Sequence, residues 1–249
     1  MNFHVRDRLK RLAFEVFSVL GRNPGYAVKS RILKFRLHGE LPAISEKYNI
    51  RLETLEHQKL SGLDDPAYRF HRDAGLFSYL VSNAERFKGL SWLDVGARTG
   101  AMSLYLSEIF ESNEWELCDV TVPPRSNAPV KQIEGTRLDY ESNSFDIVFF
   151  SYILHHAADN TIALLRDAHR IARCYVVVTE DLKETAADCR WAYKHDERGA
   201  FRGRKEWREL FSLIGFSIVY ETPLDGHVHS REFFLLTPIK PPINGTSAQ

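Results

Sequence analysis

The sequence predicts an α/β three-layer sandwich built on a mostly parallel sheet, and three observations carry that prediction. The runs "FDIVFF" (145–150) and "YVVV" (175–178) are almost uniformly apolar, so both faces of each strand are expected to be covered, as in a parallel sheet between helices. The stretch "WLDVGARTGAMSLYL" (92–106) passes from a short strand through a glycine turn into a helix, the unit that opens a βαβ crossover. Strands and helices then alternate from about residue 66 to residue 238, the order expected of this architecture.

Each element follows from its own pattern. Residues 1–65 form a basic, helical extension in which Val5, Leu9, Leu12, Ala13, Val16, Val19 and Leu20 share one helix face, opposite Arg8, Arg11, Glu15 and Ser18. That face suits a cap packed on the main domain; a helix lying on a membrane surface and a lid over a substrate pocket are the other readings. Asp65 and Pro66 supply an N-cap and a proline at the first helical position. Leu76, Phe77, Leu80, Val81, Ala84 and Phe87 then carry helical spacing up to Gly89. Trp92–Val95 is the first strand, and Thr99–Phe110 a helix presenting Met102, Tyr105, Leu106, Ile109 and Phe110 on one face. Trp115–Val120 and Val130–Ile133 are the second and third strands. The linking "TVPPRSNAP" holds three prolines and is too short for a crossover helix, so a loop is expected there. After the fourth strand (145–150), Asn160–Arg173 is a helix burying Leu164, Leu165, Ala168, Ile171 and Ala172, and 175–178 is the fifth strand. A helix at Lys205–Leu213 and strands at Phe216–Tyr220 and Arg231–Leu236 bring the total to seven strands. The domain is therefore expected over 66–238, with 239–249 as a flexible tail.

Bulk properties narrow the function classes. The 249 residues are 44% hydrophobic and 27% charged, with no net charge, so no overall field favours nucleic acid or membrane. Residues 1–40 nevertheless carry nine Lys/Arg against three acids. Three cysteines, Cys118, Cys174 and Cys189, show no CxxC spacing, which points to reduced thiols and a cytoplasmic protein. No long uncharged apolar run marks a signal peptide or a membrane span.

The glycine turn selects a cofactor class. Its backbone N–H groups and the following helix N-terminus suit a nucleotide-like ligand at the carboxyl edge of the sheet, with Thr99 placed to cap the helix. A P-loop requires a lysine after the last glycine, and none follows Gly100. A dinucleotide turn requires GxGxxG; this one reads Gly96-Ala97-Arg98-Thr99-Gly100, without the third glycine and the helix–strand contact that it permits. The turn resembles the first motif of class I S-adenosylmethionine-dependent methyltransferases, an acid followed by GxGxG: Asp94, Gly96 and Gly100 match, and Arg98 replaces the middle glycine. Further segments match in order. Asp119 ends the second strand 23 residues beyond Gly96, where an acid accepts the ribose hydroxyls. "IEGTRLDYESNSFDIVFFSYILHHAADN" is similar to the family's adenine-contacting stretch and fourth strand, while "LLRDAHRIARCYVVVTEDL" and "FRGRKEWRELFSLIGFSIV" resemble its later elements. The similarity spans about residues 70–236. It implies a Rossmann-like, seven-stranded sheet with an antiparallel last strand and S-adenosylmethionine as cofactor. The cofactor-binding positions that it implies are Asp94, Gly96, Ala97, Gly100, Asp119, Val120, Glu134, Ser151 and Tyr152, with Arg72 as partner of the methionine carboxylate.

Methyl transfer is an in-line displacement needing near-attack geometry and, for a hydroxyl acceptor, removal of a proton. No covalent nucleophile is required. His155 and His156 follow the fourth strand and are candidate bases; Glu180 and Asp181, ending the fifth, are candidates for the same role or for binding a substrate amine. His227 and His229, with Asp181 or Glu180, form a loose metal-ligand pattern, and no metal is expected. The expected activity is methylation of a small-molecule oxygen or nitrogen. Methylation of RNA or protein through the basic N-terminal segment, a non-catalytic cofactor-binding protein and a nicotinamide oxidoreductase are the alternatives. Nucleic acid is not the expected partner, contact with a membrane through the N-terminal helix is left open, and so is the oligomeric state.

Overall fold

Apolar strands meet in one seven-stranded sheet. The computed structural model describes residues 39–57, 66–112, 114–124, 126, 128–135, 137–196, 198–224 and 229–240. The amphipathic N-terminal helix, the Asp65 cap, His227 and the tail beyond Lys240 lie outside these residues. The strands are β1 (Trp92–Val95), β2 (Trp115–Asp119), β3 (Lys131–Gln132), β4 (Phe145–Ser151), β5 (Ala172–Asp181), β6 (Phe216–Leu224) and β7 (Arg231–Pro238). Their order in the sheet is β3-β2-β1-β4-β5-β7-β6. Strands β1 to β5 pair in parallel, whereas β7 runs antiparallel to both of its neighbours. The order reverses between β1 and β4, which opens a crevice at the carboxyl ends of these strands.

Side chains alternate between two cores, one on each face of the sheet. Trp92, Ile147, Phe149, Val177, Phe233 and Leu235 face one core; Leu93, Val95, Val148, Phe150, Val176, Val178, Phe234 and Leu236 face the other. This double burial explains the almost uniformly apolar runs. Over the first face lie α1 (Leu41–Tyr48), α2 (Leu52–His57), α3 (Pro66–Arg72), α4 (Ala74–Ser82), α5 (Ala84–Phe87) and α6 (Ala101–Ile109). Tyr48 packs on Phe70 and Phe77, with ring centroids 5.1 and 5.6 Å away, so residues from within the expected N-terminal extension share the main core. Over the second face lie α7 (Thr161–Ile171) and α9 (Arg204–Ile214), through Leu164, Leu165, Ala168, Trp207 and Phe211.

Several boundaries differ from those expected, each for a local reason. The helix expected to continue to Gly89 is three segments, α3 to α5. Asp73 leaves helical geometry where its carboxylate binds Arg72 and Tyr152. Asn83 breaks the next turn by donating from Nδ2 to the Tyr79 carbonyl, the competition with backbone bonding typical of asparagine. Thr99 does not cap α6: Gly100, at φ 75°, holds the N-cap position and no side chain closes it. β5 has ten residues rather than four because its polar end, Thr179 to Asp181, pairs with β7. An unforeseen helix, α8 (Ala186–His195), is set by a capping box between Thr185 and Asp188. No helix appears among the described residues between β2 and β3, as the prolines imply.

The turn after β1 takes left-handed backbone three times, at Gly96 (φ 79°), Arg98 (φ 51°) and Gly100 (φ 75°). A Cβ on Gly96 would stand 2.5 Å from Ile153 Cγ2, and one on Gly100 2.6 Å from Leu117 Cδ2. Gly100 thus supplies the close helix–strand contact that the third glycine provides in a dinucleotide turn. Gly89 shares the left-handed backbone (φ 71°), but a Cβ added there would meet nothing within 4 Å. Gly89→Ala is therefore expected to cost only the backbone term, about 1–2 kcal/mol, in chemical denaturation. Gly96→Ala should cost clearly more, because it adds overpacking against Ile153; equal losses would contradict the packing role.

Candidate active site

A cavity of about 620 Å³ opens at the carboxyl ends of β1, β2 and β4, lined among others by Asp94, Asp119, Glu134, Tyr152 and His156. Asp94 comes from β1 and is 2% exposed. Its Oδ2 accepts the Ser103 hydroxyl from the first turn of α6, while its buried Oδ1 has no hydrogen-bond partner. Burial pushes its carboxyl up to about 6, against the opposing Ser103 hydrogen bond and the Arg69 charge.

Asp119, ending β2, holds the turn. Its Oδ2 accepts the Arg98 backbone N–H at 2.8 Å and its Oδ1 the Thr121 N–H at 3.0 Å. This bond accounts for the arginine at the position where the family pattern has glycine. Left-handed backbone costs a non-glycine residue about 1–2 kcal/mol, and a hydrogen bond to a carboxylate contributes about 1.5–3 kcal/mol, enough to offset it. The bond uses the Arg98 main chain alone, and the exposed residue borders the cavity.

Other expected positions fall on the same wall. Ala97, Val120, Ser151 and Tyr152 line the cavity, and the buried Ser151 hydroxyl has no partner. Gly100 stands behind the wall against Leu117. Tyr152, itself left-handed at φ 58°, donates its hydroxyl to Asp73 Oδ1 at 2.6 Å. Arg72 reaches the cavity and lies 4.1 Å over the Tyr152 ring. It is also paired with Asp73 at 2.8 and 2.7 Å, so it forms a buried ion pair rather than a surface one. Arg69, Met102, Asn160 and Leu164 line the cavity too and were not expected from the sequence. The spacing of Arg69 one helical turn before Arg72 is the signal that could have found it.

The candidate bases separate. His156 lines the cavity, its side chain 58% exposed, with Nδ1 2.6 Å from Asp196 Oδ2. His155 is buried and points to Glu180, Nδ1 to Oε2 2.6 Å. Burial alone would lower its pKa, but the Glu180 carboxylate outweighs burial and raises it. Glu180 also accepts the Leu154 N–H at 2.7 Å. Asp181 accepts from His229 Nε2 at 2.5 Å and Arg231 Nε at 2.9 Å, which hold its carboxyl far below the usual range despite burial. The geometry does not bring His155, Glu180 or Asp181 to the cavity wall. His229 is itself buried and stacked on Trp191 at 3.5 Å.

Comparison with known proteins agrees with this architecture. A family model described as a methyltransferase domain matches residues 68–221, more than half of the chain. No curated protein matches the sequence. Among solved structures, magnesium protoporphyrin IX methyltransferase from Synechocystis PCC 6803 with bound SAH superposes with a TM-score of 0.53 at 13% identity, covering 75% of this chain and 93% of that one. A SAM-dependent methyltransferase from Aquifex aeolicus gives 0.50 at 15% identity, covering 76% and 98%. One from Methanosarcina mazei gives 0.50 at 14%, covering 62% and 94%. At these identities the structural likeness speaks for the fold, and the sequence match for the family. With an acid-lined cavity at the strand reversal, a left-handed glycine turn beneath it and a family model matched over 68–221, the chain belongs to the methyltransferase-domain family.

Proposed function

We propose that the protein methylates an oxygen or nitrogen of a small-molecule acceptor in the cytoplasm, and that acceptor chemistry takes place beside His156. The observation that carries this reading is the presence of His156 on the wall of the same cavity as Asp94 and Asp119. The residues suit the cofactor. The turn borders the cavity at Gly96, Ala97 and Arg98, and its N–H groups at 96, 97, 98 and 100 are spent on Cys118, Asp119 and Ala97, so it would shape the cofactor wall rather than donate to it. Asp119 would accept the ribose hydroxyls and Glu134 would border the adenine. Asp94, with its unpartnered oxygen, would hold the cationic amine, and Arg72 would face the carboxylate. When bound, S-adenosylmethionine supplies an electrophilic methyl group on a sulfonium.

The chain's own task is to hold the acceptor in line and to help its proton leave. With Nδ1 engaged by Asp196, His156 keeps Nε2 for that purpose. Tyr152, held by Asp73 and Arg72, gives the neighbouring wall a fixed shape. The nine basic residues among the first forty favour RNA or protein as a second reading, which a steeply salt-dependent affinity for RNA would support.

Three outcomes are expected. Asp119→Ala should weaken binding of the cofactor product S-adenosylhomocysteine by about 10–100-fold in calorimetry, the loss of one or two hydrogen bonds to a charge; unchanged affinity would remove Asp119 from the site. His156→Ala should lower kcat by about 10²–10⁴-fold with cofactor affinity nearly unchanged. The third concerns pH. Only ionised Asp94 attracts an amine cation, so affinity should rise between about pH 5 and pH 7, through the carboxyl's position near 6. In the cofactor-free protein the sign reverses: burial favours the neutral acid, so this group's contribution to stability is present below about pH 4 and lost as pH rises through 6. Asp94→Asn should flatten both profiles.

A further inference from the structure

Two histidines and an aspartate converge beside the cavity. One nitrogen or oxygen ligand atom from each of His155, His156 and Asp196 lies within 4.8 Å of the other two. Only His156 of the three lines the cavity, so a ligand completing the cluster would enter from there. We propose that His155, His156 and Asp196 bind a divalent transition-metal ion of the zinc type, with an open coordination position toward the acceptor.

Four features carry the inference. The donor set of two imidazoles and one carboxylate is that of catalytic zinc and related ions, whereas magnesium and calcium prefer all-oxygen sites. The outer partners are already in place. Glu180 Oε2 receives His155 Nδ1–H at 2.6 Å, which fixes the tautomer and leaves Nε2 with its lone pair, the carboxylate–histidine arrangement that supports metal ligands. Asp196 Oδ1 accepts the Arg198 N–H at 3.1 Å, so Oδ2 is directed to His156. The Ala200 N–H to His155 carbonyl bond, 2.7 Å, ties the loop carrying Asp196 to the histidine pair.

The distances also suit the change. His156 Nδ1 and Asp196 Oδ2, now 2.6 Å apart, share a proton. Metal bonds of about 2.0–2.2 Å in tetrahedral geometry place two ligand atoms roughly 3.4 Å apart, so the pair must open by about 0.8 Å. No two of the ligand atoms stand more than 4.8 Å apart, so the widest pair need close by about 1.4 Å at most. His156 and Asp196, with side chains 58% and 22% exposed, have the freedom to move, while His155, buried against Phe201 at 4.7 Å, stays fixed. The occupant of the open position rests on the methyltransferase reading above; the metal site does not. A bound ion would lower the pKa of an acceptor hydroxyl directly; with the ion on Nδ1, His156 Nε2 carries the ring proton, so the ion would replace His156 as the group that activates the acceptor.

The test is direct metal binding. Full-length protein, stripped with a chelator, is titrated with Zn²⁺ by calorimetry, and the Co²⁺ form is examined by visible absorption. The expected result is one bound equivalent and a low-symmetry Co²⁺ spectrum, both weakened at least tenfold by His156→Gln and by Asp196→Asn. These two positions are used because substitution of buried His155 endangers folding. Absence of binding, or binding equal in wild type and both variants, overturns the proposal. S-Adenosylhomocysteine affinity is measured on Asp196→Asn in parallel. Metal loss with cofactor binding retained supports the metal site. Cofactor binding absent in every protein, with Zn²⁺ still bound as expected, overturns the methyltransferase reading and leaves the metal site standing.

Discussion

The backbone between β1 and α6 must turn through left-handed geometry at Gly96, Arg98 and Gly100, and the rest of the site depends on that turn. It brings α6 against Leu117 of β2, sets Gly96 under Ile153, and directs the Arg98 N–H into the Asp119 carboxylate. Two neighbouring strand ends are thereby joined at the point where the sheet order reverses. Asp94, one residue inside the strand, is carried under the turn and held by Ser103 from the helix that the turn begins. A cofactor-sized space then exists with a buried acid on its floor and a second acid on its rim.

The remaining strand ends are fixed by paired charges rather than by apolar packing. Arg72 with Asp73 and Tyr152, His155 with Glu180, and Asp181 with His229 and Arg231 form three buried polar groups along the carboxyl edge. Breaking such a group leaves an unpaired buried charge at a cost of several kcal/mol. They therefore secure the positions of Tyr152 and His156 more than they add to net stability. The acids that first suggest catalysis from their strand-end location, Glu180 and Asp181, are used in this way.

The sheet was legible in the sequence because its central strands are buried on both faces, and apolar runs as short as 147–150 and 175–178 fit little besides a strand between two helical layers. The cofactor wall was legible because glycines at 96 and 100 and acids at 94 and 119 have backbone and charge requirements that leave a local trace. Elsewhere no local trace exists. His155 and His156 are neighbours in the chain, yet one is buried on Glu180 and the other meets Asp196. Their environments diverge after the left-handed Tyr152, which sequence periodicity does not report. Asp196 lies 40 residues from His156, beyond a helix with only Ala192 as a buried apolar residue, so no stripe announced it. Arg98 was visible as a departure from pattern, but its tolerance rests on a main-chain hydrogen bond.

We propose that the cavity between β1, β2 and β4 takes a sulfonium nucleoside rather than a dinucleotide. Isothermal titration of the full-length protein with S-adenosylhomocysteine and, separately, with NAD tests this most directly. The expected result is one saturable site for S-adenosylhomocysteine, displaced by S-adenosylmethionine, and no binding of NAD. Binding of NAD without binding of either sulfur nucleoside would contradict it.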